Sequence, residues 1–143
     1  MIEKKVGRPR KYDADNKPKT QRELQREQGL RTLFERVERQ LTSHKYYRDP
    51  ECSAVRLAEE LGEDMRRINA SLKAHVGMGY CKYLNCLRLK DACQRLENPR
   101  YNDYSVEEVG LSVGYVSRQH FYLVFTREMG CTPREYRLRA QQK

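Results

Sequence analysis

The sequence predicts an all-α protein in which two helix-turn-helix subdomains are joined by a long central helix and preceded by a disordered basic arm. Three observations lead there. From Gln21 onward, apolar residues recur at intervals of three and four, the signature of helices with one buried face. A short pattern of small residue, turn glycine and apolar residue occurs twice, with its glycines, Gly62 and Gly114, 52 residues apart. Between the two copies lies an 18-residue stretch, Tyr80 to Glu97, that contains neither glycine nor proline.

The first twenty residues, MIEKKVGRPRKYDADNKPKT, hold two prolines, many charges and almost no apolar side chains. They have no face to bury and are expected to be disordered in isolation. Residues 21–143 form the predicted folded domain. Its first helix carries Leu30, Leu33, Phe34, Val37 and Leu41 on one side and ends before the polar segment Thr42 to Pro50. The first helix-turn-helix is placed at about 53–75. Leu57, Ala58 and Leu61 share a face, Gly62 interrupts it, and Ile68 and Leu72 resume it on a second helix. Two short helices that cross steeply need a small contact residue and a permissive turn, which Ala58 and Gly62 supply. The same spacing also fits an ordinary helical hairpin that binds nothing. The linker helix, at about 79–97, shows Leu84, Leu87 or Arg88, Ala92 and Leu96 at helical intervals and would span roughly 27 Å at 1.5 Å per residue. It stops at Asn98-Pro99, where proline disfavours continuation.

The second helix-turn-helix is placed at about 105–129. Ser105 and Glu108 form a capping box that opens a helix with Val106, Val109, Leu111 and Val113 as its apolar positions, and Gly110 stands where Ala58 stood. The following GYVSRQHFYLVF, Gly114 to Phe125, is rich in aromatic and β-branched residues and could pass for a buried strand. The repeat, the capping box before it and the helix start after it favour a helix that buries Phe121, Val124 and Phe125. From turn glycine to first core residue the interval is six in the first unit and seven in the second. Gly130 closes that helix, and Thr132-Pro133-Arg134-Glu135 opens a final one at 133–141, with a capping box and proline at the first helical position.

Lys and Arg number 29 against 20 Asp and Glu, a formal charge of +9, which makes a polyanion the first partner to consider. Residues 1–45 carry net +6 and the remainder +3, so a basic arm precedes a nearly balanced body. Apolar runs fall short of the roughly 18 to 20 residues that cross a bilayer, and the N-terminus lacks the apolar core of a signal peptide, so a cytoplasmic, nucleoid-associated protein with no membrane partner is expected. Cys52, Cys81, Cys86, Cys93 and Cys131 are odd in number, lack C-x-x-C spacing and read as reduced structural thiols. His44, His75 and His120 sit in no metal spacing, so neither an enzyme, a metal nor a cofactor is expected.

Over about residues 30 to 139 the chain resembles the AraC/XylS family of bacterial transcription regulators. The most specific part is VGLSVGYVSRQHFYLVFTREMGCTPREYR, with Gly114-Tyr115, the Phe121 and Phe125 pair, Gly130 and Thr132-Pro133 in that family's spacing; LAEELGEDMRRINASLK and Arg88, Leu89 and Ala92 on the long helix agree as well. The resemblance implies two homeodomain-like three-helical units that read DNA as monomeric halves of one reader. Three positions depart from it. Gly110 stands where alanine is usual, which by helix propensity weakens that helix by about 1 kcal/mol. Leu123 and Ala70 stand where polar or basic reading residues are frequent, and Leu123 suits a thymine methyl instead. About 45 residues precede the reader, too few for a small-molecule effector domain, so control by abundance or by a regulatory protein is expected.

The candidate binding residues follow from which positions the core leaves free. On the first recognition helix these are Arg66 and Asn69, suited to guanine and adenine edges, and Lys73, suited to phosphate. Glu63 and Asp64 at its start would repel phosphate and weaken this unit. On the second they are Arg118 and Gln119 for base edges, Tyr122 and Arg127 for phosphate, and Ser117, whose cap also exposes backbone N–H groups. His120 reads as structural or phosphate-adjacent. In the arm, Gly7-Arg8-Pro9-Arg10-Lys11-Tyr12 resembles the core of an AT-hook, which would set Arg8 and Arg10 in a narrow minor groove; a basic tail that raises non-specific affinity is the other reading. The expected function is a sequence-specific regulator that binds double-stranded DNA as a monomer, with RNA polymerase or a regulatory protein as candidate partners. The alternative is an architectural or mobile-element accessory protein of low sequence specificity.

Overall fold

The computed structural model describes residues 17–142. Among them the regular structure is helical throughout, and GYVSRQHFYLVF is a turn and a helix rather than a strand. Helix α1, Gln21–Thr42, opens on a capping box that sequence reading missed: the Thr20 hydroxyl accepts from the Glu23 N–H at 3.2 Å while the Glu23 carboxylate accepts from the Thr20 N–H at 2.7 Å. Its C-terminal half buries Leu33, Val37 and Leu41. A 3₁₀ segment, Ser43–Arg48, turns the chain back through His44 and Lys45, which hold left-handed φ values of 59° and 57°.

Helices α2 (Ala54–Leu61) and α3 (Met65–Val76) form the first helix-turn-helix. Helix α4, Tyr80–Glu97, is the central linker. After a short turn, Pro99–Tyr101, α5 (Val106–Ser112) and α6 (Arg118–Met129) form the second helix-turn-helix, and α7 (Pro133–Gln141) packs against α4 and α6.

The apolar residues collect into two cores. The first joins Leu33, Val37 and Leu41 of α1 to Leu57, Ile68 and Leu72, and takes Tyr80, Tyr83 and Leu84 from the start of α4. The second joins Val106, Val109, Tyr115, Phe121, Val124 and Phe125, and takes Leu89, Ala92 and Leu96 from the end of α4. One helix thus anchors both subdomains, each by its own half.

Two features of the second unit correct the sequence reading. Leu111 is exposed, because Val109, Gly110 and Val113 share the buried side of α5 and leave residue 111 on the other. Gly110 is a packing requirement: a Cβ built there would lie 2.3 Å from Cδ2 of Phe121, whose ring rests on the helix backbone. The cysteines also divide. Cys52 is buried, Cys93 and Cys131 are half-buried, but Cys81 and Cys86 are exposed, so those two are not core thiols.

Candidate nucleic-acid interface

The two recognition helices are built to one plan. Both α3 and α6 have 12 residues, both begin on a side-chain cap, and both end at a left-handed glycine, Gly77 or Gly130. Asp64 accepts from the Arg66 N–H at 2.7 Å, and Ser117 accepts from the His120 N–H at 3.0 Å. Aligning the caps puts Ile68 on Phe121 and Leu72 on Phe125, a constant offset of 53 residues. The turn glycines are offset by 52, so the second turn is one residue longer. That extra length lets Tyr115 drop into the core while Val116, 70% exposed, stands outside just before the cap.

At 100° per residue, the face of α3 opposite its core carries Arg66, Ala70, Lys73 and Ala74, all exposed. The matching face of α6 carries Gln119, Leu123, Thr126 and Arg127. The first surface is cationic with small residues between the charges. The second is mixed: Gln119 and Arg127 flank Leu123, 57% exposed, with Val116 ahead of it.

Asn69 has a partner within the fold. It lies on the flank of α3 nearest α4, half-buried, and its side-chain oxygen accepts from the Tyr80 N–H at 2.9 Å. The cap of α4 is Gly79, which has no side chain to offer, so Asn69 supplies the acceptor from the neighbouring helix. That bond takes one of the two lone pairs of the oxygen a bidentate contact with adenine uses, and ties the side chain to α4. Arg66 and Lys73 stand free of the core on the outward face. Arg67, which sequence reading passed over, is also exposed, and its guanidinium donates to Glu63 at 2.8 Å. Glu63 takes a second cation, Arg36, at 3.3 Å, and Asp64 caps α3, so neither carboxylate is a bare charge.

On α6, Arg118 is the first helical residue, at the position Met65 holds in α3, and is exposed. Tyr122 is exposed at the position equivalent to Asn69. His120 sits edge-on to the Tyr115 ring, with centroids 5.6 Å apart, and serves the turn. Arg127 is exposed and donates to its neighbour Glu128 at 2.9 Å. Arg8 and Arg10, the arm candidates, lie outside the described residues.

Between the two cores α4 carries buried charge. Arg88, 8% exposed, donates through Nε to the Tyr47 carbonyl at 2.8 Å and through Nη2 to the Asp49 carbonyl at 3.0 Å. Its guanidinium lies 5.5 Å from the centroid of the Tyr115 ring. One turn on, Asp91 accepts from the Tyr47 hydroxyl at 2.9 Å, from Arg48 at 2.6 Å and from Arg95 at 3.2 Å, and Arg95 also donates to Ser112 at 2.9 Å. Burial pushes the Asp91 carboxyl up, but the bonds from Arg48 and Tyr47 and the charge of Arg95 outweigh it and hold the group below its ordinary value. Burial pulls the Arg88 guanidinium down and pushes the Tyr115 hydroxyl up to about 12, so Tyr115 stays protonated and donates to Asn85 at 2.9 Å.

Known proteins share this arrangement. The family model described as a helix-turn-helix domain matches residues 57–139. The HTH-type transcriptional activator RhaS of Escherichia fergusonii is 37% identical over 81 residues, covering 57% of this chain. The match spans 28% of the length of that curated relative. Among solved structures, a transcriptional regulator of Chromobacterium violaceum with an AraC-type DNA-binding domain superposes with a TM-score of 0.65 at 25% identity, covering 80% of this chain and 96% of that one. A DNA-binding transcriptional dual regulator of Escherichia coli K-12 superposes with a TM-score of 0.56 at 27% identity, covering 77% and 96%.

Proposed function

The chain belongs to the AraC-type helix-turn-helix family, and on that premise we propose that it is a sequence-specific regulator of transcription that sets α3 and α6 in successive major grooves of one duplex. The observation that carries this reading is the pair of matched recognition helices, alike in length, caps and core positions, each with its outward face uncovered. Successive major grooves on one face of DNA lie about 34 Å apart, a separation that two readers on one linker helix can meet. A single chain then does the work of a two-fold dimer, and because its two faces differ in chemistry the site is asymmetric.

The division of labour follows from the side chains. Arg66 has the fork that pairs with guanine, and Lys73 suits a phosphate. Arg118 and Gln119 read base edges, Leu123 meets a thymine methyl, and Tyr122 and Arg127 reach the backbone, with the N–H groups behind the Ser117 cap close to a phosphate. Arg8 and Arg10 of the arm add a minor-groove contact. Among the described residues no group of His, Cys, Asp or Glu is placed to hold a metal, and no helix is long and apolar enough to cross a membrane. The protein works on the nucleoid in the cytoplasm as a monomer on DNA, with RNA polymerase or a regulatory protein as its further partner.

Selection of bound duplexes from a random pool, with and without residues 1–20, tests this reading. A single asymmetric site spanning two major grooves is expected, and an A·T-rich extension that disappears with the arm. If scrambled duplex competes as well as the selected site at physiological salt, the protein is instead an architectural binder of low specificity.

A further inference from the structure

The two subdomains have separate cores, and what lies between them is polar. Arg88 sits on α4 between Leu84, which enters the first core, and Leu89, which enters the second. Its hydrogen bonds go to carbonyls of residues 47 and 49, in the segment that leads from α1 into the first helix-turn-helix. Its guanidinium carbon stands over the ring of Tyr115, in the turn of the second, 5.5 Å from the centroid. Gly114 closes the junction: at φ 120°, a Cβ there would lie 2.6 Å from Arg88 Nε and 2.6 Å from the Tyr47 oxygen. The backbone of the second turn therefore rests directly on a hydrogen bond made by the first subdomain. His44 and Lys45 hold left-handed backbone just before Tyr47, a conformation that non-glycine residues keep where surrounding structure requires it.

We propose that Arg88 is the positioning residue that sets the angle between the two recognition helices, and with it the half-site spacing the chain accepts on DNA. The proposal rests on the reading that both helices enter one duplex. Its physical basis is the shape of the side chain. A guanidinium offers donors in a fixed plane, reaching two carbonyls at once, and a cation for the face of the Tyr115 ring. Rotation of one subdomain against the other breaks one of these three contacts. B-DNA turns by about 34 to 36° per base pair, so slack of that order at the junction would blur the register by a whole step. Buried ionic groups add little to stability when compared with apolar replacements, but they can select one arrangement among several.

The test compares the full chain with R88M, which keeps the bulk and loses every polar contact, and R88K, which keeps the charge and loses the fork. The probe is the duplex selected by the wild-type chain, the same duplex with one base pair inserted between the half-sites, and each half-site alone. Wild type should lose on the order of a hundredfold on the insertion, because simultaneous engagement fails. The variants should keep wild-type affinity for each half-site, bind the native spacing about tenfold more weakly, and distinguish the two spacings by less than about threefold. Wild-type spacing discrimination in both variants overturns the proposal. Loss of half-site binding in both makes Arg88 a folding residue and also overturns it. A wild-type chain indifferent to the insertion defeats the two-groove reading itself, a different failure that shows before any variant is measured.

Discussion

The first and second subdomains share a frame and differ in what they place on it. Both recognition helices start on a capped turn and end at a left-handed glycine, yet α3 presents Arg66 and Lys73 around two alanines while α6 presents Gln119, Leu123 and Arg127 behind an exposed Val116. Inside, the order reverses. The first subdomain crosses its helices over Ala58, and Gly62 has open space around it. The second crosses over Gly110 with the Phe121 ring on its backbone, and its turn glycine is wedged against Arg88. The first is a loosely constrained turn with a charged face. The second is a tightly packed turn with a mixed face, and the tightness is what locates it on the linker.

The sharpest way to separate the two is to empty one core. Phe121→Ala removes a ring that is 1% exposed and packs on Tyr115 and Phe125, and should cost about 3 to 5 kcal/mol. Because the cores share no residue, the loss should fall on the second subdomain. Amide hydrogen exchange should show protection lost in α5, α6 and α7 and kept in α1 to α3. Uniform loss across both would show that they fold as one unit.

A smaller change exposes the reversed packing. By helix propensity alone, Gly110→Ala should stabilise α5 by about 1 kcal/mol. With a Cβ 2.3 Å from the Phe121 ring, it should instead destabilise by about 1 to 3 kcal/mol. In the first subdomain Ala58→Gly should also destabilise, by about 1 kcal/mol, for the ordinary reason. Denaturant midpoints decide it, and a more stable Gly110→Ala chain would show that the ring has room to move.

Much of this frame is written locally. The Ser105 and Thr132 capping boxes, the left-handed Gly130 and the Phe121, Val124, Phe125 face are set by residues three or four apart, and all stand as their spacing predicts. What the sequence conceals is set by distant partners. Arg88 is satisfied by carbonyls 41 and 39 residues away and Asp91 by a hydroxyl 44 away, so the spacing that sets Arg88 near the inward stripe names no partner for it, and Asp91 looks like an exposed charge on a helix. The segment from Thr42 to Pro50 reads as a polar connection, whereas its Tyr47 is buried at the junction. Asn69 is a subtler case. Its helical angle lies between core and surface, and only the position of Gly79 at the start of α4 decides that its oxygen faces a backbone N–H. The outward faces were legible as polar positions; the chemical contrast between them emerges once the caps are aligned.

That contrast can be broken on DNA. Gln119→Ala should lower discrimination at one base position of the selected site by about 1 to 3 kcal/mol and leave the salt dependence alone. Lys73→Ala should weaken selected and scrambled duplexes alike and flatten the plot of log affinity against log salt by about one unit. Binding isotherms at several salt concentrations separate the two outcomes. Equal behaviour of the two variants would mean that Gln119 and Lys73 do not divide the work between base reading and phosphate anchoring.

The smallest expected effect concerns the residue before each cap, Glu63 in the first subdomain and Val116 in the second. Glu63 holds Arg36 and Arg67 in partly exposed ion pairs at 3.3 and 2.8 Å, so Glu63→Gln should change stability by less than about 1 kcal/mol. Its effect on DNA should be larger in kind. The substitution removes a negative charge beside the start of α3 and frees Arg67, whose side chain is 51% exposed, to turn toward a phosphate. Affinity should therefore rise at low salt, the gain should shrink as salt increases, and the salt slope should steepen by about one unit. Val116→Ala, which removes apolar surface and no charge, should leave the slope unchanged. If Glu63→Gln leaves it unchanged as well, the α2 to α3 turn does not face the backbone, and the first subdomain docks through the far end of its recognition helix.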